Sequence, residues 1–174
     1  MIKSSRYNKV TISSQPLQQV QQVQAIQFVW HLTHVDNLAS IFSRAGGLLS
    51  KNHLKQQKAT FADISMPEAQ ACREHKSVFN IPLHDFVPTY ICQRNPMMYV
   101  LRSRASELVW LKIDVSKLNP ANCATADRNA AKAQVQFFKG IQPKVLDWTV
   151  LNAVRWNDKY NGKALRCAEL LVHK

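Results

Sequence analysis

Along FVWHLTH, hydrophobic and polar positions run with a period of two, so a strand there would turn Phe28, Trp30 and Leu32 one way and Val29, His31 and Thr33 the other. The period then changes. In HVDNLASIFSRAGGLLS, Val35, Leu38, Ile41 and Phe42 fall on one side of a helix, and Gly46 and Gly47 stop it. The clearest alternation is LVWLKIDV, which predicts a strand with Val109, Leu111, Ile113 and Val115 facing away from Trp110, Lys112 and Asp114. A last strand is predicted in LRCAELLVHK, with Cys167, Glu169 and Leu171 on one face and Ala168, Leu170 and Val172 on the other. That pattern sets a carboxylate among apolar neighbours, where desolvation is costly, and the cost asks for a reason.

Between these anchors the pattern is less regular. SMPEAQACREHK has Ser65 and Glu68 at capping-box spacing and Pro67 in the first turn, predicting a helix towards Lys76 with Arg73 in its interior turns. DRNAAKAQVQFF and VLDWTVLNAV read as helices, with Asp127 and Asp147 placed where carboxylates favour a helix N-terminus. KNHLKQQK reads as a basic surface segment. PLHDFVPTYICQRNPMMYVL, interrupted by Pro82, Pro88 and Pro96, reads as short extended pieces joined by turns. Residues 1–24 form a Gln- and Ser-rich extension, in which Ser14 and Pro16 would open a short helix striped by Leu17, Val20 and Val23. The domain proper is then residues 25–174, and interspersed helices and short, mostly antiparallel strands make it α+β.

Charge narrows the partners. The chain of 174 residues carries 23 Lys and Arg against 11 Asp and Glu, a net charge of +12 whose field draws in polyanions. Nucleic acid comes first, with an anionic membrane surface or a merely basic soluble protein as the other readings. The 4 cysteines are far apart with no C-x-x-C pair and read as reduced cytosolic thiols. No stretch has the length of a secretory h-region or a membrane span, so a soluble cytoplasmic protein is expected. His31 and His34 have H-x-x-H spacing, but a strand sends them to opposite faces and no third ligand is nearby, so no metal is expected. Neither standard phosphate cradle is present, and neither is G-x-S-x-G nor H-E-x-x-H. From the residues alone, Glu169 is open to two roles: an ion pair with Arg166 or a lysine at a sheet edge, or a catalytic group.

Five segments change this picture when read together. HLTHVDNLASIFSRAGGLLS, PLHDFVPTYICQRNPMMY, TADRNAAKAQVQFF, LDWTVLNAVRWND and RCAELLV, in this order from about Gln27 to the C-terminus, resemble the DarT family of DNA ADP-ribosyltransferase toxins. The resemblance implies an ADP-ribosyltransferase-like fold: a split, mostly antiparallel central sheet flanked by helices, with an NAD cleft between the halves. It implies NAD as donor of ADP-ribose to a base in single-stranded DNA, commonly thymine, with nicotinamide leaving, and a macrodomain antitoxin as partner. Its other readings are the same chemistry on RNA and a non-catalytic module that binds single strands.

Carried over by position, the resemblance sets His31, Leu32 and Thr33 against NAD, with His31 and Thr33 at the nicotinamide ribose and amide end. Asn37, Gly47 and Leu48 would shape the cofactor pocket, a packing or capping role being equally open for the last two. The family's essential arginine falls on Arg73 and its essential glutamate on Glu169. Splitting nicotinamide from ribose builds positive charge on the sugar, which a carboxylate held against a ribose hydroxyl would stabilise. Arg73 would grip the NAD pyrophosphate or the target base with its planar fork, and would steady that base as it loses a proton, since a guanidinium rarely gives up its own. RWNDKYNGKALR matches the acceptor loop, with Arg155, Lys159, Lys163 and Arg166 meeting phosphates while Trp156 and Tyr160 stack on unpaired bases. His84 and Asp85 would position the sheet. The sequence departs from the family where Trp30 replaces a frequent tyrosine and where Cys72 precedes Arg73 in place of a second arginine.

Overall fold

The structure is a computed structural model that describes residues 24–43 and 47–173. The expected helix around Leu17 and Val20, the stop at Gly46 and nearly all of the extension lie outside the described residues. In chain order the elements are β1 (Phe28–His34), α1 (Leu38–Ser43), α2 (Lys51–Gln56), α3 (Pro67–Glu74), β2 (Ser77–Val78), β3 (Ile81–Pro82), β4 (Phe86–Tyr90), α4 (Pro96–Val100), β5 (Leu108–Asp114), β6 (Cys123–Ala126), β7 (Phe137–Lys139), α5 (Trp148–Leu151), α6 (Gly162–Leu165) and β8 (Glu169–His173). Single 3-10 turns fill several of the gaps, among them Val35–Asn37 and Leu83–Asp85.

Six strands form one sheet in the order β5-β1-β4-β8-β6-β7, and every strand pair in it is antiparallel. The joins are unequal. β1 pairs β5 along its whole length, from Phe28 opposite Asp114 to His34 opposite Leu108, and β4 pairs β8 from Phe86 opposite His173 to Tyr90 opposite Glu169. Between them, β1 and β4 share the single pair Trp30 and Tyr90. The sheet is therefore split into two halves that meet at one point, as the family resemblance implied, and its antiparallel pairing agrees with the α+β reading.

β8 sits in the interior of the larger half and is buried on both faces, which explains why it reads as an apolar run. Leu170 packs with Val29, Val115, Leu146 and Leu151 on one face, and Leu171 with Leu83, Phe86, Val78 and Ala124 on the other. Each fully buried leucine contributes about 1.5–3 kcal/mol. Register also determines the company of Glu169: its neighbours across the ladder are Tyr90 on β4 and Ala126 on β6.

Several expectations are corrected. DRNAAKAQVQFF is not a helix but the end of the β6 ladder, a turn, and the start of β7. Asp127 closes this loop, its N–H donating to the Gln136 carbonyl at 3.2 Å and its carboxylate accepting from the Gln136 amide at 2.9 Å, while Phe137 pairs with Ala126. Tertiary pairing overrides the helix preference of the alanines. KNHLKQQK lies at the surface as expected, and most of it is helical as α2, capped by Ser50 accepting from the His53 amide at 3.4 Å. The α3 helix starts where expected, but its N-cap is Met66 without a side-chain bond, because Ser65 donates to Asp63 instead. Pro96–Val100 is also helical, since Asn95 accepts from the amides of Met97 and Met98 at 3.0 and 3.3 Å. Asp147 does cap α5, accepting from the Val150 amide at 3.0 Å.

Candidate active site

Where the two half-sheets part, β1 and β4 form the walls of a cleft. One cavity of about 170 Å³ is lined by His31, Leu32, Thr33, Asn37, Leu48 and Pro88, among others. A second of about 120 Å³ continues from it past His31, Leu32 and Pro88 to Arg73, Tyr90, Met97 and Asn129. Both are smaller than the roughly 300–1,000 Å³ of common ligand pockets, so a dinucleotide would fill the two together and extend into the open mouth.

Behind Arg73, which lines the second cavity, stands Glu169, 1 % exposed and lining neither cavity itself. Its partner is neither Arg166 nor a lysine. Arg73 is 8 % exposed and the only buried residue of α3, and its Nη2 donates to both carboxylate oxygens at 2.6 Å. The amide of Ala130 adds a bond to Oε1 at 2.9 Å. Charge-assisted bonds of this kind offset the desolvation of the two ions, and neither ion is tolerable alone. Burial works against the Arg73 charge, but the Glu169 carboxylate overrides it and raises the guanidinium pKa. Tyr90 and Cys167 flank the pair. Burial, and then the Glu169 charge, push the Tyr90 phenol well above its ordinary value and the Cys167 thiol up to about 12, so neither ionises near neutrality.

His31 donates from Nδ1 to the Pro88 carbonyl at 2.9 Å, bridging the split between β1 and β4. Burial lowers its pKa against the opposing effect of that bond. The imidazole is thus neutral, and the tautomer leaves Nε2 as an acceptor for a hydroxyl or amide N–H. Thr33 accepts from Asn37 Nδ2 at 3.1 Å, and the same amide group spans Ala62, giving to its carbonyl at 3.0 Å and accepting from its N–H at 2.9 Å. Asn37 therefore shapes the pocket by bracing its rim. Leu48 lines the cavity, whereas Gly47 is at φ +63 and does not line it; its role is the left-handed turn. His84 is buried with Nε2 unpartnered, and Asp85 accepts from Asn52 at 2.7 Å, both away from the two cavities.

A third hollow of about 480 Å³ adjoins the second at Asn129 and is lined by Pro96, Lys132, Lys159, Lys163 and Cys167, among others. Of the expected acceptor-loop residues, Lys159 and Lys163 reach this groove. Arg155 is exposed, Tyr160 is 90 % exposed and Trp156 half-buried. Arg166 is elsewhere. It is 4 % exposed and its guanidinium donates to the carbonyls of Arg94 and Val150 at 2.7 Å and to that of Leu151, which makes it an internal anchor of the loop rather than a phosphate contact. Gly162 closes the same loop: a Cβ there would lie 1.7 Å from the Trp156 carbonyl oxygen.

Sequence reasoning missed Tyr90, Met97, Asn129, Ala130 and Lys132. The Asn95-Pro96 pair is a helix-start signal that would have exposed Met97 to the cleft, but the helical reading of DRNAAKAQ hid the turn carrying the other three. Among the described residues no group of His, Cys, Asp and Glu could hold a metal ion, and no helix is long and apolar enough to cross a membrane.

Comparison with known proteins agrees with this geometry. Residues 30–174 match the family described as ssDNA thymidine ADP-ribosyltransferase, DarT. A DNA ADP-ribosyl transferase of Thermus sp. (strain 2.9) is 32% identical over 155 residues, covering 80% of this chain and 71% of that protein. The structure of Thermus sp. 2.9 DarT in complex with ADP-ribosylated ssDNA superposes with a TM-score of 0.72 at 29% identity, over 85% of this chain and 75% of the other. The same enzyme in complex with NAD+ superposes with a TM-score of 0.67 at 27% identity, over 85% and 75%.

Proposed function

The chain belongs to the DarT family of ssDNA thymidine ADP-ribosyltransferases, and from that premise we propose how its own residues divide the work of an NAD-dependent transfer to DNA. NAD supplies the ADP-ribose, and the bond exchanged is glycosidic: nicotinamide leaves the ribose, a base nitrogen takes its place, and the pyrophosphate stays intact. This is glycosyl transfer, not nucleotidyl transfer.

His31 receives a hydrogen bond at Nε2 from the nicotinamide riboside, while Leu32, Thr33 and Leu48 line the remainder of the pocket and Asn37 braces it. Glu169 holds a ribose hydroxyl and stabilises the positive charge that develops on the sugar as nicotinamide departs. Its low-dielectric setting, 1 % exposed, strengthens that stabilisation. Arg73, kept protonated by Glu169, faces the same chamber and stabilises the acceptor base as its proton is lost. Lys132, Lys159 and Lys163 take the phosphates of the strand, and exposed Tyr160 offers a stacking surface that an unpaired base can use without duplex opening.

The observation that carries this reading is the buried Arg73–Glu169 pair, whose Arg73 lines the same cavity as His31. Its test is labelled NAD offered with single-stranded DNA, duplex DNA or RNA to the wild type and to Glu169→Gln. We expect label on single-stranded DNA alone and a loss of about 100- to 1,000-fold in the variant. Full-rate labelling by the variant would refute the assignment, and label on RNA alone would change the acceptor. We further propose a cytoplasmic toxin held in check by a macrodomain antitoxin, a reading supported by the family and the basic surface; growth arrest on expression, relieved by a co-expressed macrodomain, is its expected sign.

A further inference from the structure

Arg73 meets Glu169 through one nitrogen equidistant from both carboxylate oxygens, 2.6 Å from each. A single donor astride two acceptors fixes where the carboxylate is but leaves its plane free to turn. The amide of Ala130 breaks that symmetry by bonding Oε1 alone at 2.9 Å, leaving Oε2 as the oxygen with capacity for a substrate hydroxyl. A backbone N–H is aimed only as well as the turn that carries it. This turn is held by Lys76, whose Nζ donates to the Ala130 carbonyl at 3.0 Å and to the Lys132 carbonyl at 2.5 Å.

The position of Lys76 is itself fixed. It follows the C-terminal end of α3, its amide donating to the Arg73 carbonyl at 3.2 Å and its carbonyl accepting from Leu83 at 2.9 Å. One helix end therefore sends Arg73 onto the carboxylate and Lys76 onto the turn that supplies the carboxylate's other donor. The turn has a second attachment on its far side, where the Asn129 amide donates to the Ala164 carbonyl at 3.2 Å, tying it to α6. Asn129 is also the residue shared by the Arg73 chamber and the lysine-lined groove.

We propose that Lys76 is a positioning residue for the transfer: by pinning the Ala130 and Lys132 carbonyls it aims the Ala130 amide, sets the plane of the Glu169 carboxylate, and holds the wall between donor chamber and acceptor groove. The proposal rests on Glu169 being the catalytic carboxylate. Lys76→Met keeps the aliphatic stem and removes the donor. Its kcat for transfer to single-stranded DNA falls about 10- to 100-fold, the cost of a small misplacement of a reacting group, while KM for NAD and affinity for DNA stay within about twofold and Lys76→Arg recovers most of kcat.

The experiment is steady-state transfer at saturating DNA with Lys76→Met, Lys76→Arg and Glu169→Gln side by side, each checked by thermal melting. Wild-type kcat in Lys76→Met with Glu169→Gln inactive overturns the positioning role alone; full activity in both shows instead that the carboxylate reading has failed. A raised KM at unchanged kcat also overturns the proposal, because it would make Lys76 a binding group. Should Lys76→Met not fold, Lys76→Arg and Lys76→Gln are compared, with a higher kcat for arginine at equal KM expected and equal kcat overturning the idea.

Discussion

Replacing Arg73 by alanine tests whether the buried pair is one electrostatic unit. The substitution leaves Glu169 with the Ala130 amide as its remaining hydrogen bond in a site where the carboxylate side chain is 1% exposed. Removing one partner of such a pair costs about 3–5 kcal/mol, most of it the burden of an uncompensated buried charge. Against a typical stability of about 5–15 kcal/mol, the variant should still fold at 25 °C and lose transfer. With a urea m-value of about 1–3 kcal/mol/M, the unfolding midpoint moves down by about 1–5 M. Adding Glu169→Gln removes the stranded charge, so Arg73→Ala/Glu169→Gln should be more stable than Arg73→Ala, with a coupling of at least about 2 kcal/mol. The assay is urea unfolding of the four proteins. Independent, additive effects of the two substitutions would refute the reasoning.

Three further outcomes follow from the same geometry. Burial lowers the His31 pKa from its ordinary 6.5, so the folded state resists protonation and the stabilisation is complete above that value and lost as pH drops below it. The melting temperature should therefore decline between about pH 6.5 and 5.5, less steeply in His31→Gln; an unchanged slope would remove His31 from the account. In the acceptor loop, Lys159→Gln/Lys163→Gln should weaken binding to single-stranded DNA and flatten its dependence on salt by about 1.4 in the log–log slope, with melting unaltered. Arg166→Met should do the reverse, lowering stability while leaving the salt slope alone, because its guanidinium is spent on carbonyls of Arg94, Val150 and Leu151.

What could be read from the chain was whatever a single element determines. β1, β5 and β8 announce themselves by alternation or by an apolar run, and the helix carrying Arg73 by Pro67 in its first turn. What could not be read was decided between elements. The alanines after Asp127 have a strong local preference for helix, and only the pairing of Phe137 with Ala126 and the closure of Asp127 on Gln136 reverse it. β5, the cleanest strand by pattern, proves to be an edge, because alternation reports a half-buried surface and says nothing of how many neighbours a strand has. Arg166 illustrates the same limit for a side chain: a basic residue in a polar loop looks solvated until the carbonyls that surround it are known.

The site divides along the same line. Glu169 stood out because a carboxylate in an apolar strand is a cost that must be met somewhere, and His31 and Thr33 because a strand places them on one face. Which group meets the cost depends on the long-range packing of α3 over the end of β8, 96 residues apart in sequence, where Arg73 arrives in place of the nearby Arg166. Single-residue patterns are silent about backbone donors altogether, so the Ala130 amide and the Lys76 contact that aims it had no signature to find. The buried carboxylate is held from three directions: by charge from Arg73, by direction from Ala130, and by the β8 ladder between Tyr90 and Ala126. The sequence-visible part of that arrangement is the carboxylate, and the invisible part is what keeps it aimed.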